Sequence, residues 1–403
     1  MAAPSPVLVW LLFVYAWVAH YMVRMALSPL LPAVMAEFTL SYSAAGLLAT
    51  AFFYAYLAMH VPAGLLGDRW GRKRVLLVGI LVGVAGTLLT GLSGGIAMLF
   101  LARLLTGLGQ GSLFSNDRVI IASYTPKEKM ALGQGVSFSG LGLGTTLGLL
   151  LAGILGEVVP WRTVFILFAV PPLVAALLLW RLIPEPPRSA RVAGLASIRQ
   201  MLPRPEIWIL GATHLTVVYL QFVLAIWAPL LFAEIGVKEL GRSAFYASLQ
   251  GLPAPFGLLL MGWIADRVHR RGLHRKAVMA LALLAAGLSF AGVGLVVEAG
   301  GSPALLAALV VLTSFFFWGA EGPLLATLGE RIPASLLGTA FGLLNTIGFV
   351  GALVGPAATG WVKDLTGSFA WGCYGAALVG GIGAIFALAV RPAFQFRHGP
   401  ENP

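Results

Sequence analysis

Gly64-Leu-Leu-Gly-Asp-Arg-Trp-Gly-Arg-Lys-Arg74 is a charged turn wedged between two apolar runs. A looser copy, Gly262-Trp-Ile-Ala-Asp-Arg-Val-His-Arg-Arg-Gly-Leu-His-Arg-Lys276, returns about 200 residues later at the corresponding place in the second half of the chain. A basic hinge repeated between apolar segments marks a chain made of two related halves. Its charge also reports which side of a bilayer the hinges face.

The composition around these hinges excludes a soluble domain. Of 403 residues, 59% are hydrophobic and 10% are charged, far from the averages of water-soluble proteins. Apolar runs long enough to cross a hydrocarbon core fall at 7–28, 41–66, 75–92, 96–122, 131–156 and 161–183. After a polar break they resume at 206–234, 243–265, 277–297, 303–329, 335–362 and 369–390. We number these expected spans helix 1 to helix 12. The reading is an all-α integral membrane protein with 12 transmembrane helices in two pseudo-symmetric six-helix bundles. The first bundle spans 1–183 and a cytoplasmic linker spans 184–205. The second bundle, with a short tail, spans 206–403.

The net charge of +11 raises the question of nucleic acid, and its placement answers it. Alternating loops between the two sides puts 19 of the 26 Lys and Arg residues on the side that holds both hinges. Arg162, Lys238, Arg242 and Lys363 lie on the other side, and Arg24, Arg103 and Arg118 lie inside helices. Positive loops stay cytoplasmic, so both termini and both hinges are expected in the cytoplasm, across a cell membrane of the bacterial inner-membrane kind. The basic charge then meets anionic lipid rather than nucleic acid. No basic leader with a small-residue cleavage site opens the chain, so helix 1 is expected to be retained. Cys373 is the lone cysteine, which leaves no disulfide or cysteine-based metal site within one chain. The prolines of the linker forbid one continuous helix, and a short amphipathic piece is expected near 192–202. Nothing in the sequence calls for a cofactor.

With twelve helices and the doubled hinge, Arg103-Leu-Leu-Thr-Gly107-Leu-Gly109 completes a pattern that resembles the major facilitator superfamily. Gly64–Arg74 matches its cytoplasmic loop motif, and Arg103-x-x-x-Gly107 matches the arginine–glycine motif of its fourth helix. A narrower resemblance is to the anion:cation symporter family of organic-anion carriers. It is carried by Tyr21-x-x-Arg24, by Asn116-Asp-Arg118-Val-Ile through Pro126, and by Trp227-Ala-Pro229-Leu-Leu. That resemblance implies anion binding by Arg24 and Arg103. Many proton-coupled relatives carry an Asp just before the helix-1 arginine and a Glu seven residues after the helix-4 arginine. Here those positions are Val23 and Gln110, so proton coupling, if present, needs another carboxylate. The related organophosphate antiporters use an arginine in helix 7, and none lies in 206–234.

The residues themselves support the same site. An arginine near the middle of a membrane helix costs about 2.5–3.5 kcal/mol and normally faces water or a partner. Arg24 and Arg103 fall at similar depths and each offers a planar fork of donors suited to a carboxylate, sulfonate or phosphate. The plainer reading is that Arg103 bonds backbone carbonyls and Arg24 snorkels outward. His20 lies one turn before Arg24 on the same face, with Tyr21 beside it. Gln110, Tyr56, Gln221, Trp318 and Asn345 complete the expected lining of a central cavity. Phe53 and His60 share the Tyr56 face of helix 2, where core packing is the competing role. His214 sits seven residues before Gln221 in helix 7.

Glu321 in helix 10 is the remaining carboxylate well inside a helix. An ionised carboxylate there is costly, which makes it the proton-coupling candidate; a structural bond to a neighbouring helix is the alternative. Asp117 and Arg118, near the hinge end of helix 4, read either as a proton relay or as a cytoplasmic gate. The gate has them pair with Asp68, Arg69 and Arg72 of the hinge. The glycines Gly140, Gly142, Gly144 and Gly148 of helix 5 precede no strand–helix unit, so they read as packing positions rather than a phosphate loop. The run Gly348-x-x-Gly351-x-x-x-Gly355-Pro356 is its counterpart in helix 11.

The favoured function is a secondary transporter, acting as a monomer, that moves a small carboxylate-type organic anion by alternating access. Coupling to a proton or another cation fits, as symport. Sugar acids, aromatic acids, small dicarboxylates and inorganic anions all suit two arginines. The same-fold alternative is a proton-coupled efflux antiporter for drugs or lipophilic cations, which the aromatics favour and the two arginines oppose. An enzyme is excluded by the absence of a His-Glu-x-x-His, Gly-x-Ser-x-Gly or Walker sequence.

Overall fold

A computed structural model describes residues 4–126, 129–186, 195–332 and 336–390. Twelve helices in it are long and apolar enough to cross a membrane. In order they are helix 1 (Pro6–Phe38), helix 2 (Tyr42–Trp70), helix 3 (Arg72–Gly91), helix 4 (Ile96–Tyr124), helix 5 (Leu132–Val158) and helix 6 (Trp161–Leu182). The second set is helix 7 (Pro205–Glu234), helix 8 (Leu240–Arg270), helix 9 (Arg275–Glu298), helix 10 (Pro303–Arg331), helix 11 (Thr339–Thr366) and helix 12 (Ala370–Ala389). Exposed leucines and valines such as Val78, Leu177, Leu281 and Leu378 stud the outside of the bundle. With the backbone bonded inside each helix, such a surface suits lipid.

Helix 1 runs ten residues beyond its expected end at 28. Its first segment stops at Met25, and a second, Leu27–Phe38, continues after Ala26. Pro29 and Pro32 lie in the second segment, where their missing donors loosen the ladder and bend the helix without ending it. Helix 8 is interrupted in the same way, with a 3-10 turn at Leu249–Gly251 ahead of Pro253. Between the halves, the expected amphipathic piece is the short helix Leu195–Met201. Residues 187–194 of the linker and the tail from 391 lie outside the described residues.

The two hinges are built alike. At the first, Asp68 in the last turn of helix 2 pairs with Arg72, the first residue of helix 3. Gly71 between them takes a φ of +106°, which favours glycine. At the second, Asp266 pairs with Arg275, the first residue of helix 9, at 2.7 Å. The second loop is longer, yet it delivers an arginine to the same place, and Glu330 of helix 10 also joins that arginine. Each hinge thus holds its charges within its own half.

The halves meet at the opposite, far end. Among the described residues, the hydrogen bonds between the two sets of six helices lie in the far half of the bundle. Two of these contacts are related. Asp364, in the last turn of helix 11, accepts bonds from the Tyr42 and Ser43 amides at the start of helix 2, at 2.9 and 2.7 Å. Glu157, in the last turn of helix 5, accepts a bond from the Gly241 amide at the start of helix 8, at 2.7 Å. In both cases a carboxylate from one half satisfies the orphan amides at the N-terminus of a helix in the other. Below this latch Tyr42, Trp227 and Phe369 pack together, with ring centroids 5.0–6.2 Å apart. The Trp227 indole donates to the Pro356 carbonyl.

Candidate functional site

Arg24 is buried at 2% exposure on the kinked first helix. Its guanidinium carbon lies over the rings of Tyr21, Tyr56 and Phe52, at 4.3, 4.7 and 4.8 Å from their centroids, and 5.8 Å from that of Phe53. Rings hold a cation by their negative faces but offer few acceptors. The Arg24 Nη2 donates to Gln110 Oε1 at 3.2 Å, while Nε and Nη1 are buried without a hydrogen-bond partner. Gln110 is held in turn by donating to the His20 carbonyl at 3.2 Å. The His20 ring bonds the Ala16 carbonyl through Nδ1 at 2.6 Å. The His20 ring is thus bonded within helix 1, and its backbone carbonyl holds Gln110. Where a carboxylate in place of Gln110 would neutralise Arg24, the amide leaves the positive charge uncompensated.

Arg103 reaches the other side of Phe52, with its guanidinium carbon 5.8 Å from that ring and 6.0 Å from the Phe165 ring. It is also 2% exposed, and its Nε and Nη1 are buried without partners. Snorkelling is thus excluded for both arginines, and both leave donors unspent. Their approach to Phe52 depends on glycine: a Cβ on Gly107 would collide with the Phe52 carbonyl, and one on Gly111 with that of Tyr56 at 2.6 Å. Helices 2 and 4 lie backbone to backbone there, one turn beyond Arg103. The arginine–glycine spacing is therefore a packing requirement that sets the charge beside the rings.

Asp117 and Arg118 pair with each other, apart from the Asp68–Arg72 pair of the hinge. Asp117, fully buried, accepts from the Trp17 indole at 2.7 Å and pairs with Arg118 at 2.7 Å. Arg118 also donates to the Gln134 side chain at 2.9 Å and lies over the Phe138 ring. The residue that faces the hinge is Asn116, which donates to the Ala63 carbonyl and accepts from Arg72 at 3.5 Å. One step along a helix turns the side chain by about 100°, so Asp117 points to helices 1 and 5 instead. Asp68 is bound by Arg72 in the hinge, and Arg69 is exposed.

In the second half, Glu321 lies beside His214 of helix 7, with His214 Nδ1 and Glu321 Oε2 3.4 Å apart. Both nitrogens of His214 and Oε2 of Glu321 are buried without a hydrogen-bond partner. Glu321 therefore meets a side chain of the neighbouring helix 7. The histidine ring fills the space left by Gly348 of helix 11, whose added Cβ would overlap it. Trp318 packs against both apolar clusters of the core, each of which draws residues from the two halves. Gln221 and Asn345 are half-buried.

Two rings that sequence reasoning passed over close the space between the halves. Phe349 of helix 11 lies 5.1 Å from Tyr56, 5.8 Å from Phe53 and 6.3 Å from His60, and Phe222 of helix 7 lies 4.5 Å from Phe53. An aromatic residue in an apolar helix carries no mark of its own. The face Phe53–Tyr56–His60, assigned mainly to packing, is both packed and adjacent to Arg24.

The comparisons follow this geometry. The model of the Major Facilitator Superfamily matches residues 13–356. The chain is 26% identical to the hexuronate transporter of Bacillus subtilis, across 98% of this chain and 97% of that one. It is 27% identical to the cis,cis-muconate transport protein of Acinetobacter baylyi, across 94% and 91%. Its fold is that of a bacterial homolog of the human lysosomal transporter Spinster in an inward-facing, occupied conformation. The TM-score is 0.81 at 18% identity, covering 94% of this chain and 96% of the other.

Proposed function

This chain belongs to the Major Facilitator Superfamily, a membrane transport protein and not an enzyme, and on that premise we propose that it carries a small organic carboxylate by alternating access. One observation carries the reading: Arg24 is buried in a cage of rings with two guanidinium donors unspent. Leaving a charged donor unsatisfied at such depth is costly, and a carboxylate supplies two acceptors in the geometry of the fork. Arg103, across the Phe52 ring, adds a second positive charge and a second set of donors. Relatives named for a sugar acid and for an unsaturated dicarboxylate have the carboxylate in common. A lipophilic cation fits the rings but meets two uncompensated arginines, which disfavours the efflux reading.

The charge bias supports a topology with the hinges and both termini in the cytoplasm, across a bacterial inner membrane. The sealed far end is then periplasmic, and the state described faces inward. Anion binding at Arg24 and Arg103 relieves the repulsion between two buried cations and favours closure at the hinge end. The ion pairs inside each hinge are then the groups that rearrange. A monomer suffices, since the site lies between the two halves of one chain.

The test is thermal unfolding of the purified protein with glucuronate, tartrate, benzoate and sulfate, and separately with a lipophilic cation such as tetraphenylphosphonium. A ligand at 100 times its Kd stabilises the folded state by about 2.7 kcal/mol. Stabilisation by a carboxylate that Arg24→Ala removes supports the reading. Stabilisation by the cation alone refutes it.

A further inference from the structure

We infer that His214 and Glu321 form a single-proton site in the second half whose occupancy sets the affinity of the anion at Arg24. The observation is a juxtaposition that neither residue explains alone. A carboxylate oxygen and an imidazole nitrogen, from helices 10 and 7, face each other at 3.4 Å. Neither atom has a hydrogen-bond partner, so the two are close without being bonded to each other. Gly348 leaves the histidine ring its room, since any larger residue there would strike the ring.

The charges around the pair make it selective for one proton. On helix 10 itself, Glu321 is the carboxylate of the inner turns, and Glu330 lies at the hinge. Among the described residues, helix 7 brings His214 toward it and helix 1 brings Tyr21 within electrostatic range. The Tyr21 ring in turn carries Arg24 on its face. Helix 8 has no titratable side chain between Ala247 and Ala265, helix 9 none between Ala277 and Val297, and helix 11 none between Thr339 and Val362. With no proton the pair carries one negative charge in an apolar setting. One proton between Nδ1 and Oε2 makes the pair neutral overall, whichever atom holds it. A second proton leaves a net positive charge, which burial opposes.

The link to the anion is electrostatic. A carboxylate bound at Arg24 and an ionised Glu321 compete for the same positive field and repel each other. Loading the proton removes that repulsion, so proton and anion bind each other's form more tightly, by the same factor. Positive linkage of this kind moves the two together, as symport. It also assigns coupling to this chain despite Val23 and Gln110 standing where many relatives hold carboxylates. The anion linkage rests on the function proposed above; the proton site does not.

Two measurements on the full-length protein in lipid separate the two ideas. The first is infrared difference spectroscopy on a pH step between about pH 5 and 8, with no anion present. A protonated carboxyl C=O band is expected to appear on acidification. Glu321→Gln is expected to remove it and His214→Gln to move its midpoint, with size-exclusion profiles showing both variants folded. The second is the Kd for glucuronate and tartrate at the two ends of that range, expected to be about tenfold tighter at acid pH and equal at both ends in Glu321→Gln. No titrating band, or a band unaffected by Glu321→Gln, overturns the proton site. A titrating band with a pH-independent Kd overturns the linkage. If neither anion binds at any pH, the proposed anion site fails, and the infrared result still decides the proton site.

Discussion

Removing both carboxylates of the far-end latch should open that end by a measurable amount. Asp364 joins helix 11 to the amides of Tyr42 and Ser43, and Glu157 joins helix 5 to the amide of Gly241. These contacts are exposed, so each is taken at the value of an ordinary helix cap, about 1 kcal/mol on replacement by alanine. The two sites sit on different pairs of helices and should add, for about 2 kcal/mol. That multiplies the ratio of far-end-open to far-end-closed molecules by roughly 30. A minor state of about 1% then rises to nearly a quarter of the population. Spin labels at Gly94→Cys and Lys238→Cys report the change, since these exposed residues lie on far-end loops of opposite halves. Cys373, which is buried, is first replaced by serine. In Glu157→Ala/Asp364→Ala a longer distance should gain weight at the expense of the shorter one, with each single variant contributing part. An unchanged distribution in the double variant refutes the latch.

Arg24→Lys keeps the charge but not the fork, and losing one charge-assisted bond should weaken carboxylate binding by about 1.5–3 kcal/mol, roughly 10- to 150-fold in Kd by calorimetry. An unchanged Kd would mean the charge alone matters. Gln110→Glu places a carboxylate against Arg24 Nη2, now 3.2 Å from the amide oxygen, and should lower anion affinity at least tenfold at neutral pH. Equal affinity would separate Gln110 from the site. Gly107→Val forces helices 2 and 4 apart at the Phe52 carbonyl and should destabilise the protein by about 1–3 kcal/mol, read as a lowered Tm. Gly348→Ala should displace the His214 ring and move the midpoint of the pH dependence of anion affinity while the protein still folds. An unchanged midpoint would show that the ring can move without consequence.

Most of the fold was legible because apolar runs and charged hinges are local signals. The end of helix 1 was not: the expected apolar run ends at 28, whereas the chain bends at Ala26 and continues to Phe38. Arg24, Arg103, Gln110 and Glu321 stood out because polar groups are expensive in apolar helices. Their partners were harder to read. The angle around helix 4 turns Asn116 to the hinge and Asp117 to Trp17, and no local signal tells the two positions apart. His214 was weighed alone, since nothing local says that helix 7 meets helix 10 at that level. The one available signal was the small-residue run of helix 11, whose Gly348 is the space the histidine occupies.

The two unsatisfied arginines belong to the first six helices, and the histidine–glutamate pair belongs to the second six. On the function and proton site proposed above, what is carried and what drives the carrying are written in separate stretches of one gene. Duplicated halves begin as copies, and this division lets each drift under its own selection. A change in diet can reshape the cage around Arg24 without disturbing the energy source. A move to an alkaline habitat can retune His214 and Glu321 without altering the cargo. Chimeras that exchange halves between related carriers should therefore inherit substrate preference from the first half and pH response from the second.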